Sequence, residues 1–448
     1  ANYEEAIFAF ITAASLFYTG GFYKLKSHPK LIRVSNIVLI DCVLALFILG
    51  VMGFYFMNPR HFGIDFDLLR SIKTTFRLVF LFDSGDLVPL TYFARNFIYA
   101  IYLSSGLVLC FIFFNILKPY VTKPFNSPED KDLARQILKK YGYASLDYFK
   151  TYPDKFFFFS EDRDGFLSFK VTRNFAFVLE NPVCKDEETF IELIKGFDLF
   201  CLENGFVSIY YRVPVSTLDT FINLGKKALP IGDEAIVDLE GFSLEEVHAK
   251  TVPTTIHRLL SEGYDAKIHT SPISDKLMHK LEHVSNNWLK DLNQKELAFA
   301  EGVFNRKIIK DQTVITIEDQ NEKVYAFLNV IPDYVSGEAT YDLIRKSSDA
   351  PKDVLDLLLA KTLLYFKEQG FHTANLGMAP LSSVEGTGIT QKALKFAYEN
   401  LKAFSHFKGL RRFKGKFATR WETKYLIYHQ NYHLPQIPYA LRRISEGK

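Results

Sequence analysis

The feature that most constrains this chain is the lopsided placement of its apolar residues. Ala6–Tyr23 and Asn96–Leu117 carry no charged residue, and Val34–Pro59 carries only Asp41. A bilayer span needs about 20 such residues. Transmembrane helices are therefore expected over about 6–23, 34–59 and 96–117, within a membrane region 1–118. Between the last two, a helix over about 66–82 puts Leu69, Ile72 and Phe76 on one face and Arg70, Lys73 and Arg77 on another. That is the pattern of a helix lying in the membrane interface, against the alternative of a fourth, poorly hydrophobic span. Lys24, Lys26, Lys30 and Arg33 follow the first run, and Lys118, Lys123, Lys131, Arg135, Lys139 and Lys140 follow the third. Basic flanks of this kind face the cytoplasm. The 60–95 connection then lies outside, although it carries Arg70, Lys73, Arg77 and Arg95. Asp41, about two turns into its span, reads as a hydrated or helix-paired group.

Pro119, Pro124 and Pro128 mark residues 119–129 as a linker. Beyond it one pattern occurs twice. Phe166–Val171 and Phe175–Leu179 read as paired strands, Asp186–Glu203 as a helix ended by Gly205-Phe206, and Val207–Val213 as a further strand. Lys323–Ile331, Glu338–Ile344, Pro351–Gln369, Gly370-Phe371 and His372–Leu376 repeat that order. Repetition on this scale predicts two similar α/β modules in tandem, 130–247 and 248–448, with chemistry in the second. A helix over roughly Val252–Glu262 opens the second module.

The meander–helix–strand order fits an N-acetyltransferase (GNAT) type of fold. Such folds usually cradle coenzyme A with a glycine-rich turn. Here the turn is Ser348–Asp353, and Pro351 removes one backbone donor. An acyl donor other than acyl-CoA is expected, with no cofactor. No metal is expected either, because Cys42, Cys110, Cys184 and Cys201 lack ligand spacing. The net charge of +3 argues that any nucleic-acid contact is local.

Several stretches are similar to one family. Tyr152–Ser160 (YPDKFFFFS), Leu179–Val183 (LENPV), Asp342–Arg345 (DLIR), Asp349–Pro351 (DAP), Asn375–Ser382 (NLGMAPLS), Phe407–Phe417 (FKGLRRFKGKF) and Trp421–Leu426 (WETKYL) resemble the phosphatidylglycerol lysyltransferase family, also called multiple peptide resistance factor. Asn2–Ala6 and Gly21–Tyr23 resemble the family's last membrane helices. The resemblance implies a tandem GNAT-like synthase behind those helices, on the cytoplasmic side of a multi-pass protein of the bacterial inner membrane. It implies transfer of an aminoacyl group, usually lysyl, from aminoacyl-tRNA to phosphatidylglycerol or a similar anionic phospholipid. The membrane and a second copy of the chain are the further partners. Members of the family carry a flippase-type membrane region ahead of the synthase, and the resemblance implies that this sequence holds the synthase and the last few membrane helices without the full flippase. The sequence departs from the family at Lys352-Asp353, where Asn-Gly is usual, and at Gly415, where an acidic residue is usual. The helix opening the second module, usually rich in Lys and Arg, keeps Lys250 and Arg258. A tRNA-independent lipid acyltransferase and a non-catalytic lipid-binding membrane protein stay open beside the first reading.

Ester-to-hydroxyl transfer needs a base, oxyanion donors and charges that hold phosphate and ammonium. Asp342 suits the base or the ammonium anchor, and Arg345 a phosphate or carbonyl clamp. On a regular strand the two face opposite ways, so a turn or bulge after Ile344 must bring them together; a structural ion pair is the alternative. Arg412–Phe417 alternates as a strand with one cationic face. Lys414 and Lys416 are then nearest the chemistry, and Lys416 is expected to be catalytic. Arg411 and Arg412 suit the lipid phosphate or the tRNA acceptor end, against the alternative of a solvated basic edge strand. Asn375 and Met378 end a strand around Gly377, where Asn375 bonds either substrate or its own turn. Glu301 suits the ammonium of the amino acid. His248, His257 and His283 have no triad partner in the sequence and read as structural.

Overall fold

The computed structural model describes residues 29–80, 82, 87–117, 126–244, 251–293, 295–380 and 407–446. The chain divides into two compact units, residues 1–122 with 202–205 and residues 123–201 with 206–448.

In the first unit α1 spans Pro29–Tyr55, α2 Leu68–Val79 and α3 Tyr92–Leu117. Asp67 caps α2 by accepting the Arg70 N–H at 2.7 Å. Glycines let the helices close in. A Cβ on Gly50 of α1 would stand 2.5 Å from Thr75 of α2, and one on Gly53 would stand 2.3 Å from the Phe97 ring of α3. Accordingly α2 buries Ser71, Thr75, Leu78 and Val79. The face carrying Leu69, Ile72 and Phe76 stays exposed. Among the described residues no helix is long and apolar enough to cross a membrane. The side chains of 29–39 and 112–117, the run 6–23 and most of the linker lie outside them.

The second unit opens with α4 (Pro128–Tyr141), started by a capping box between Ser127 and Asp130, and the single turn α5 (Asp147–Lys150). The strands are β1 (Phe156–Phe159), β2 (Phe166–Thr172), β3 (Phe175–Leu179), β4 (Val207–Pro214), β5 (Lys227–Asp238), β6 (Asp265–His269), β7 (Val314–Glu318), β8 (Val324–Ile331), β9 (Glu338–Lys346), β10 (Thr373–Pro380) and β11 (Arg420–Tyr428). Between them lie α6 (Glu187–Glu203), α7 (Leu218–Asn223), α8 (Thr251–Ser261), α9 (Asp275–Asp291), α10 (Arg306–Ile309), α11 (Val354–Glu368) and α12 (Phe407–Lys414), with α13 (Ile437–Ser445) last.

The eleven strands among the described residues form one mixed sheet in the order β1-β2-β3-β4-β11-β5-β10-β9-β8-β7-β6. The doubled pattern is visible in it. β3 runs parallel to β4 across α6, and β9 runs parallel to β10 across α11. Both Gly-Phe stops close a helix in the same way. Gly205 and Gly370 adopt positive φ, and Phe206 and Phe371 donate back to Cys201 and Phe366. This is the 6→1 bond of a Schellman cap, which glycine admits without a Cβ penalty. The sequence pattern does not reveal that late strand β11 inserts between β4 and β5, antiparallel to both. Leu426 and Ile427 of β11 are fully buried, each contributing about 1.5–3 kcal/mol. The two halves therefore share one sheet, and one hydrophobic cluster joins Phe177 of the first half to Ile331 and Met378 of the second.

One expected element is wrong. Residues 412–417 do not form a strand; α12 ends at Lys414, and Gly415 donates to the Arg411 carbonyl at 2.8 Å. Leu410, Phe413 and Phe417 recur at helical spacing and pack inward, which outweighs the local alternation.

Candidate active site

A cavity of about 280 Å³ opens where β9, β10, the 297–301 segment, α12 and α13 meet. β9 supplies its acid. In the β8–β9 register Val330 faces Tyr341 and Leu328 faces Ile344, so Asp342 and Leu343 share the place opposite Asn329. The Asn329 amide oxygen fills the gap by accepting the Leu343 N–H at 2.9 Å. This irregularity brings Asp342 and Arg345 to the same cavity wall. The expected bulge thus exists, but it precedes Ile344.

Asp342 is half-buried and has one close donor, the Gly302 N–H, 2.8 Å from Oδ1. Burial pushes its carboxyl up to about 7; the Gly302 bond pulls the other way and the Glu301 charge adds to the rise. Gly302 has no room for a side chain, since a Cβ there would stand 1.8 Å from Asp342 Oδ2. Arg345 is already engaged. Its guanidinium grips Glu296 with two bonds of 2.9 and 2.6 Å and the Ser285 hydroxyl at 2.6 Å. Glu296 also accepts the Phe304 N–H at 3.1 Å. Arg345 therefore ties down the segment that carries Glu301 and Gly302. Glu301 lines the cavity and is exposed.

Lys414 faces Asp342's wall from α12. Its Nζ donates to the Met378 carbonyl at 3.0 Å. Burial, helped by the Arg212 charge, pushes its ammonium down to about 7. Asn375 is spent on structure as well as lining the cavity. Its Oδ1 accepts the Gly377 N–H at 2.8 Å, and its Nδ2 donates to Ser145 Oγ at 3.1 Å. Met378 contributes lining and the carbonyl that Lys414 binds.

Three expected residues lie elsewhere. On a helix, Leu410, Phe413 and Lys414 share one face, and these line the cavity. Arg411 pairs with Asp233 at 2.7 Å and covers the Trp421 ring at 4.3 Å. Arg412 is exposed. Lys416 pairs with Asp356 of α11 at 2.5 Å and is absent from the cavity lining.

The sequence reading missed Arg212 and Glu234, which also line the cavity. Glu234 binds Arg212 at 2.8 Å and Lys424 at 3.1 Å. Burial alone would raise its carboxyl, but Lys424 and Arg212 hold it at about 2. Arg212 sits in β4 with φ of 70°, an uncommon backbone for an arginine. Among the described residues its buried Nε has no partner. The available signal was a charge inside an otherwise apolar strand, Val207–Pro214. No group of three or more His, Cys, Asp or Glu among the described residues is placed to hold a metal ion.

A family model described as phosphatidylglycerol lysyltransferase, C-terminal, matches residues 135–428. The phosphatidylglycerol lysyltransferase of Bacillus subtilis (strain 168) is 29% identical over 341 residues, covering 75% of this chain and 39% of that protein. That of Staphylococcus aureus (strain MRSA252) is 30% identical over 318 residues, covering 70% and 38%. The chain thus spans about two fifths of the length of these curated relatives. The structure of L-PGS from Bacillus licheniformis superposes with a TM-score of 0.66 at 29% identity, over 73% of this chain and 99% of that one.

Proposed function

Since the chain belongs to the phosphatidylglycerol lysyltransferase family through the C-terminal part matched at 135–428, we propose that it transfers a lysyl group from aminoacyl-tRNA to a headgroup hydroxyl of phosphatidylglycerol. The observation that carries this reading is that half-buried Asp342 and buried Lys414 line one cavity, where desolvation pushes the first up to about 7 and the second down to about 7. Groups poised near the working pH make efficient general acids and bases.

The Asp342 carboxylate takes the proton of the attacking lipid hydroxyl. The hydroxyl oxygen bonds the ester carbonyl carbon, and the bond to the ribose oxygen breaks. The Lys414 ammonium returns a proton to that ribose oxygen. Arg212, with its unpartnered Nε, stabilises the oxyanion between these steps. Glu301 at the exposed side holds the ammonium of the amino acid. Gly302 and Arg345 fix the segment that presents Glu301 and orients Asp342. No covalent intermediate on the protein is required.

We read the two halves of the sheet as GNAT-like modules, supported by the repeated order of strands around α6 and α11. We place α1 and α3 in a bacterial inner membrane as part of a multi-pass anchor, with the second unit on the cytoplasmic side where tRNA is found. Their 27 and 26 residues extend about 40 Å at 1.5 Å per residue, counting the ends 29–39 and 112–117, whose side chains lie outside the described residues. The side chains of Ile40, Leu44, Ile48, Leu103 and Leu107 are exposed, as lipid-facing groups would be. The apolar exposed face of α2, beside Arg70, Lys73 and Arg77, suits the anionic interface.

The test is to supply membranes containing the protein with labelled lysyl-tRNA and phosphatidylglycerol. Labelled lysyl-phosphatidylglycerol that disappears after ribonuclease treatment is the expected result. Product that resists ribonuclease would assign another donor, and absence of product would leave a lipid-binding protein without turnover.

A further inference from the structure

A second recess, of about 370 Å³, lies between the β2–β3 hairpin and α13. Arg173, Gln436, Tyr439, Arg442 and Arg443 line it, with Phe175 at its base. Three arginines and one carboxylate, that of Glu446, line it, and Arg442 Nε binds Glu446 at 2.6 Å. Arg442 also lines the catalytic cavity, so one side chain forms a wall of both. We propose that this recess holds the single-stranded 3′ end of the donor RNA and leads its aminoacylated ribose into the cavity. The proposal rests on aminoacyl-tRNA being the donor.

The chemistry of the lining selects this ligand. Arginines beside an exposed aromatic ring make a site for phosphodiesters and stacked bases. Tyr439 is 57% exposed within the recess. A phospholipid headgroup would use the arginines but not the ring. Its acyl chains would also need open apolar surface, whereas the apolar members Phe175 and Ala440 are buried. Arg173 adds a backbone argument. It occupies a two-residue hairpin turn, with Thr172 paired to Phe175, at φ of 52°. Glycine or asparagine is the usual residue there. An arginine in that place keeps a cation at the rim against the local backbone preference.

That conformation supplies a clean variant, because Arg173→Gly removes the charge and relaxes the turn. The full chain in detergent is titrated with a hairpin RNA ending in single-stranded CCA, at several salt concentrations. The double variant Arg173→Gly, Arg443→Gln should bind at least about fivefold more weakly, with a salt slope shallower by roughly 1.4, or about 0.7 per lost contact. Tyr439→Ala should weaken binding without changing the slope, and Tyr439→Trp should preserve it. The KM for phosphatidylglycerol should not move. Wild-type RNA binding that survives in both weakened variants would overturn the recess assignment alone. A rise in the lipid KM with unchanged RNA affinity would reassign the recess to the headgroup and overturn it too. Failure of the wild-type protein to bind the RNA at all would instead remove the tRNA donor, and the recess with it.

Discussion

A buried carboxylate and a half-buried one in the same sheet reach opposite electrostatic states. Glu234 lies on β5, and two cations reach it, Lys424 from the adjacent β11 and Arg212 from β4 beyond it. Asp342 lies on β9, bonded closely to one backbone N–H. Burial raises both, but only Glu234 has cations close enough to reverse the shift. The first arrangement makes a permanently ionised tie between the halves of the sheet. The second makes a group that exchanges a proton near neutrality. Insertion of β11 is thus more than a topological detail, because it brings Lys424 to the centre of the sheet and fixes which carboxylate stays reactive.

The contrast can be broken from either side. Asp342→Asn should lower kcat by about 10²–10⁴-fold, the range for a general base, with the melting temperature held or raised. The sign follows from the raised carboxyl. The folded chain holds a proton that the unfolded chain releases between about pH 4 and 7, so stability falls as pH rises through that window. Removing the ionisable group should flatten this slope, which thermal unfolding at several pH values would record.

Glu234→Gln should do the reverse. It leaves Arg212 and Lys424 buried with their main partner gone, at a cost of about 3–5 kcal/mol in unfolding free energy. Because Glu234 is held at about 2 in the fold, its stabilisation is full above about pH 4.5 and is lost as pH falls toward 2. Acid unfolding of the variant should therefore lack that limb.

Gly302→Ala sharpens the comparison at Asp342. The added methyl would stand 1.8 Å from Oδ2, so the carboxylate must turn away. We expect kcat to fall by about 10²-fold, typical of a misplacement near 1 Å, with only a small change in melting temperature. Lys416→Gln is the smallest perturbation. It unpairs Asp356 and should reduce stability by about 1–3 kcal/mol while kcat/KM stays at the wild-type value. Loss of turnover in a stable Lys416→Gln protein would return that lysine to the active site.

Much of this was legible in the sequence. Periodicity located β2, β3, α6 and β4 and their counterparts β8, β9, α11 and β10, because each has an apolar face and both helices end on a glycine. The motif and strand geometry pointed to a bulge that brings Asp342 and Arg345 to one wall, and both residues line the cavity. The role of Arg345 was not, because Glu296 and Ser285, its partners, come from other elements. The late basic block misled because Arg412–Phe417 alternates over too few residues to separate strand from helix, and the placement of Lys416 failed with it. Arg212 and Glu234 were missed for a different reason. Their meaning depends on Lys424, a residue of β11 brought beside them only by long-range sheet pairing.

The most direct test is the pH dependence of kcat for lysyl-phosphatidylglycerol formation. A base and an acid that both titrate near 7 predict a narrow bell with its maximum near neutrality. The rising limb should vanish with the activity in Asp342→Asn, and the falling limb should vanish in the residual turnover of Lys414→Gln. A flat profile from pH 5 to 9, or a bell unchanged by either substitution, would contradict the assignment of proton transfer to this pair.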